Sequence, residues 1–62
     1  MTYLRALTTD GETVYLNTDK ILSITPYPSR LTILLGAGLY WHVDPETVEL
    51  VTLQDVFQEV NA

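Results

Sequence analysis

The chain is expected to fold as a small α+β domain, mainly β: five or six antiparallel strands in a meander or half-barrel, closed by a short C-terminal helix. Three observations carry this. Short runs rich in β-branched and aromatic residues recur along the first fifty residues, a composition that suits a pleated, half-buried surface. Turn signals separate the runs at close intervals: Asp10-Gly11, Asn17 to Lys20, Pro26 to Arg30, Gly36 to Gly38 and Asp44 to Thr47. Beyond them the period changes. Leu53, Val56, Phe57 and Val60 stand at i, i+3, i+4 and i+7, one stripe of a helix.

Taken in order, Tyr3 to Thr8 alternates loosely and reads as a strand. Asp10-Gly11 between apolar runs is a hairpin signal, because Gly accepts positive φ and Asp bonds its own backbone nearby. Thr13 to Leu16 is then the second strand. Asn17-Thr18-Asp19-Lys20 is polar, and its Asn and Asp favour side-chain-closed turns, so it reads as a corner or a single helical turn. Ile21 to Thr25 is the third strand. Pro26 to Arg30 is expected to be a loop, since Pro lacks the backbone donor and holds its predecessor extended.

Leu31 to Leu35 is the fourth strand and the most apolar. After the Gly36-Ala37-Gly38 turn, Leu39 to Val43 is the fifth, with Leu39, Trp41 and Val43 on one face and Tyr40 and His42 on the other. Asp44-Pro45-Glu46-Thr47 suits a type I turn. Residues 47–51 then fit either a short sixth strand, the favoured reading, or a helix capped by Asp44 with Pro45 first. At the end, Thr52 and Asp55 resemble a capping box. The helix that follows has about two turns and is too short to persist alone. Its stripe is therefore expected to dock on the sheet with Phe57 buried, and the core to gather around Leu31, Ile33, Leu35 and Trp41.

Sixty-two residues allow one domain, spanning 1–62. Such a chain buries about 60% of the surface its unfolded form exposes, so small folds commonly need a staple. There is no Cys, which excludes disulfides, thiol chemistry and Cys-rich zinc sites. An apolar core and self-association remain. No apolar run approaches the roughly 20 residues that span a bilayer, and the first residues lack the pattern of a signal peptide. A cytoplasmic protein without membrane insertion is the expectation.

The net charge of −5 is unevenly placed. Arg5, Lys20 and Arg30 balance Asp10, Glu12 and Asp19, whereas residues 39–62 hold Asp44, Glu46, Glu49, Asp55 and Glu59 without a Lys or Arg. Nucleic-acid binding needs clustered cations, so it is not expected.

Catalytic patterns are thin. His42 is the single His, and neither Ser23 nor Ser29 sits in a strand-to-helix elbow, so no triad is expected. His42, Asp44 and Glu46 alternate, but Pro45 breaks the register a metal site would need. No cofactor or metal is expected, and a solvated strand His is the simpler reading. Aromatic side chains are enriched at protein interfaces. On that ground the candidate interface residues are Tyr15, Tyr27, Tyr40 and His42, with Asp55 and Glu59 from the polar side of the helix.

Gly11, Leu16-Asn17, Ile21, Ile24, Pro26, Thr32, Leu34, Gly38, Val56 and Val60 fall in an order that resembles the small FlbD-like (SwrD-like) proteins of flagellated bacteria. The resemblance runs from Leu4 to Val60. It implies a β-rich scaffold in which the Leu-Asn corner is structural, and a motility accessory role without catalysis. The chain departs from that pattern by an extra segment of about eight residues between Trp41 and Leu50, and by lacking basic residues after the helix. The function expected is a non-enzymatic protein-interaction module that binds a protein partner or itself, as a homodimer. The alternative is an acidic inhibitor, encoded by a phage or mobile element, that occupies a basic protein surface as a DNA mimic does.

Overall fold

Gly11, at φ +89°, closes the first hairpin. It joins β1 (Thr2–Leu7) to β2 (Thr13–Asn17), and Thr8 ties the turn by accepting the Glu12 N–H on its hydroxyl at 3.1 Å. This is a computed structural model, and it describes residues 1–60. Four further strands follow: β3 (Ile21–Tyr27), β4 (Arg30–Leu35), β5 (Tyr40–Val43) and β6 (Glu49–Thr52), then the helix α1 (Leu53–Val60).

The strands form two three-stranded antiparallel sheets, ordered β2-β1-β6 and β3-β4-β5. This corrects the expected meander or half-barrel. The reason lies in the two corners where the chain leaves one sheet for the other. Each is a single 3-10 turn, Thr18–Lys20 and Pro45–Thr47. Each is entered through a side chain that accepts the N–H two residues on: Asn17 Oδ1 from Asp19 at 2.9 Å, and Asp44 Oδ1 from Glu46 at 3.0 Å. Short polar side chains mimic a backbone turn in this way. Asn17 to Lys20 is thus a corner. The second corner combines both readings of its segment: Asp44 caps one helical turn with Pro45 at its start, and a strand follows.

Between the sheets lie Leu4, Ala6 and Leu16 from the first, and Ile33 and Val43 from the second, with Val14, Ile21, Leu31, Leu35 and Val48 packed around them. Ile33, in the middle strand, is fully buried. The sheets also meet at one end. Asp44 N–H donates to the Leu7 carbonyl at 2.8 Å and Thr9 N–H to the His42 carbonyl at 3.1 Å, so the end of β1 continues onto β5.

Two other expectations are corrected. Pro26 lies within β3, opposite Leu31, and the hairpin turns through Pro28-Ser29 instead. An edge strand tolerates Pro because its outward N–H needs no partner. Trp41 is 37% exposed and sits outside the core. It pairs with Ile33 from β5, and the first sheet covers the middle strand more fully than this flank.

Candidate protein-interaction surface

The candidate residues divide between opposite outer faces. On the first sheet, Leu4, Ala6 and Leu16 point to the core, so Tyr3, Arg5, Tyr15, Glu49 and Val51 point outward, with Arg5 opposite both Tyr15 and Glu49. Arg5 pairs with Glu49 and with Glu59 of α1, and the Tyr15 hydroxyl donates to Glu59. The helix is thereby drawn over this face by its polar side. Val51 is buried on the sheet and Val56 half-buried on the helix.

The expected burial of the whole stripe is therefore corrected. Val56 is partly covered, whereas Leu53, Phe57 and Val60 turn outward, Phe57 at 60% and Val60 at 69% exposure. Glu59 and Val56 are three positions apart and share a side of the helix. With Glu59 on Arg5, Phe57 stays largely exposed. Asp55 serves the helix itself. Its carboxylate accepts the Thr52 N–H at 2.9 Å while its own N–H donates to the Thr52 hydroxyl at 3.2 Å, a capping box. The Thr52 backbone N–H and then the Thr52 side chain, aided weakly by Arg5, hold the Asp55 carboxyl below its ordinary value. A shallow groove of about 790 Å³ runs beside the helix, lined by Arg5, Tyr15, Glu46, Glu49 and Glu59 among others. Arg5 already answers two of its carboxylates.

The second sheet has an open outer face. Tyr27 from β3, Arg30 and Thr32 from β4, and Tyr40 and His42 from β5 line a depression of about 340 Å³ together with Ser23, Thr25 and Leu34. Each strand contributes alternate residues, as strand geometry requires. The Arg30 guanidinium lies over the Tyr27 ring at 5.0 Å. Tyr40 meets His42 edge-on at 5.3 Å between centroids, and His42 Nδ1 shares a 2.9 Å hydrogen bond with the Thr32 hydroxyl. Among the described residues, no carboxylate lines this depression.

Of the six candidates, then, Tyr27, Tyr40 and His42 come together, Tyr15 and Glu59 meet on the other sheet, and Asp55 is committed to the cap. Arg30 was missed by sequence reasoning. Its position directly after a two-residue turn that also follows Tyr27 was the available signal, since such a hairpin sets the two side by side. Among the described residues, no group of three or more His, Asp or Glu side chains is placed to hold a metal ion. Nor is any described helix long and apolar enough to cross a membrane. No family model, curated protein or solved structure matches the chain.

Proposed function

We propose that this chain is a non-enzymatic protein-interaction module that docks a partner on the outer face of its second sheet. One observation carries the reading. In a chain of net charge −5, that face gathers Tyr27, Arg30, Tyr40 and His42 around a depression with no acidic lining among the described residues, while α1 lies over the other outer face. Tyr and Arg are the side chains enriched where proteins bind each other. Arg30, already stacked on Tyr27, is poised to meet a carboxylate of the partner. The partner surface is accordingly apolar with an acidic group. The resemblance to FlbD-like proteins supports an accessory role in motility, and the absence of Cys suits a cytoplasmic setting.

The acidic-inhibitor reading asks for a continuous face of unpaired carboxylates. It has less support, because Glu49 and Glu59 are engaged by Arg5 and Asp55 by the helix cap.

The test is a photo-reactive side chain placed at position 40 in the protein's native cell, with position 50, exposed on β6 of the first sheet, as control. A discrete adduct with one other protein, formed from 40 and not from 50, is the expected result. No adduct, or the same adducts from both positions, overturns the reading.

A further inference from the structure

We infer that β3 is a self-association edge: two copies of the chain pair their β3 strands antiparallel about a two-fold axis at Ile24, joining their second sheets into one of six strands. This deepens the interaction-module reading by naming a second copy as a partner, and it rests on that reading only for its biological use.

β3 ends its sheet on one side. Its seven residues, Ile21 to Tyr27, carry no charge, although charged side chains are the usual device that keeps sheet edges apart. Every residue after Ile21 is exposed, Leu22 at 69% and Ile24 at 47%. The chain as a whole leaves 4380 Å² accessible, against about 4,000 Å² for a folded monomer of its mass.

What selects a second copy is the symmetry of the strand's irregularities. The register slips between Ile21 and Ser23, leaving Leu22 as the bulged residue. Pro26, without an N–H, is the other interruption. Leu22 and Pro26 stand two positions before and two after Ile24. A two-fold axis at Ile24 sets each donor-less Pro26 against the bulge of the other copy, where the strand is already irregular. Between them, Ile24 meets Ile24 on the inner face, and Ser23 meets Thr25 on the outer face. Apolar β-branched and hydroxyl pairs are both favourable opposite one another.

The inner-face row Trp41–Ile33–Ile24 then runs on into its own copy, covering Ile24. The charges bordering the strand also suit the arrangement. Asp19 and Lys20 precede β3, and Arg30 lies across the hairpin from its end. Antiparallel pairing brings the Asp19 of each copy beside the hairpin holding the Arg30 of the other. None of the acids of residues 39–62 belongs to β3 itself. A contact this small belongs with weak interfaces, below about 1,200 Å², and a dissociation constant in the micromolar range, roughly −8 kcal/mol, is its natural scale.

Sedimentation of the purified chain over a concentration series is expected to show a reversible monomer–dimer equilibrium that Ile24→Lys shifts at least tenfold toward monomer. Because Ile24 is half exposed, the variant should keep the strand signal in circular dichroism. The register is read independently with single cysteines, since the natural chain has none. Directly opposed antiparallel positions lie about 4.5 or 5.5 Å apart, inside the disulfide range of about 4.4–6.8 Å. With oxidised glutathione, Ile24→Cys is expected to form disulfide dimers at least tenfold faster than Leu50→Cys, although Leu50, on the other sheet, is the more exposed of the two, 67% against 47%. A monomer throughout, or equal rates for the two variants, overturns the inference. Neither result touches the adduct from position 40, which stands or falls on a different partner.

Discussion

Arg5 on β1 and Glu59 on α1 lie 54 positions apart in the chain and form an ion pair on the outer face of the first sheet. The pair holds the polar side of the helix to the first sheet. Glu59 also accepts from Tyr15, and Arg5 also holds Glu49, so four side chains from three strands and the helix share one polar junction. Arg5→Ala is expected to cost about 1 kcal/mol, the upper end for partly exposed pairs, because two carboxylates lose their partner. Amide exchange should rise along residues 53–60 and stay unchanged in β4. A uniform rise across the whole chain would show that Arg5 supports the fold globally instead.

Phe57 and Ile33 should respond oppositely to truncation. Ile33 is fully buried, and removing such a side chain to Ala costs about 2–5 kcal/mol. That matches the roughly 3–5 kcal/mol of stability a core this small supplies, so Ile33→Ala should be largely unfolded in water. Phe57→Ala should fold normally and lose less than about 1 kcal/mol, as exposed substitutions do. Urea denaturation of both variants settles the ranking, and an unfolded Phe57→Ala would restore the buried-stripe expectation.

Local chemistry was legible in the sequence and long-range choice was not. Asp10-Gly11, Asn17, Asp44 and the Thr52–Asp55 box act through neighbours within four positions, and all form the turns and cap that their residue types predict. The helix stripe shows what hydrophobic periodicity omits. It identifies an apolar face without saying what covers it, and here Leu53, Phe57 and Val60 face outward while Glu59, on another side of the helix, pairs with Arg5 across 54 positions. Trp41 was misplaced for a similar reason: alternation puts it on the inner side of β5, but the extent of the opposing sheet leaves it at the rim. Two sheets in place of one meander follow from corners whose chemistry was visible and whose direction was not. Of the interface candidates, alternation alone placed Tyr40 and His42 on one face, whereas Tyr27 joined them because β3 runs on through Pro26.

The two corners make a matched prediction. Asn17→Ala and Asp44→Ala each remove the side chain that accepts the first free N–H of a 3-10 turn. A loss of about 1 kcal/mol is expected from each, by analogy with helix caps. The two lie in different corners and share no partner, so the double variant should lose about the sum, within roughly 0.5 kcal/mol. Marked non-additivity in urea denaturation would mean that the corners communicate through the sheets.

Acid should loosen the helix before the sheets. The Asp55 carboxyl titrates below its ordinary value of 3.8 in the folded chain. A group depressed in this way contributes stability that is fully present above its unfolded value, near 3.9. The contribution is lost as pH falls through the lower folded value. Helical circular dichroism should accordingly hold from neutral pH to about pH 5 and decline below about pH 4. In Asp55→Asn the part of the decline due to this group should disappear. An identical acid profile in the variant would assign the transition to other carboxylates.

The docking face on the second sheet is tested most directly by the affinity of the partner captured from position 40 for two charge variants. Arg30→Glu reverses the cation stacked on Tyr27, and Phe57→Lys places a charge on the exposed side of the helix. Equal urea midpoints establish that both are folded. Binding at least tenfold weaker for Arg30→Glu, with Phe57→Lys unchanged, is the expected result. Unchanged binding for Arg30→Glu together with loss in Phe57→Lys would contradict it and move the interface to the helix.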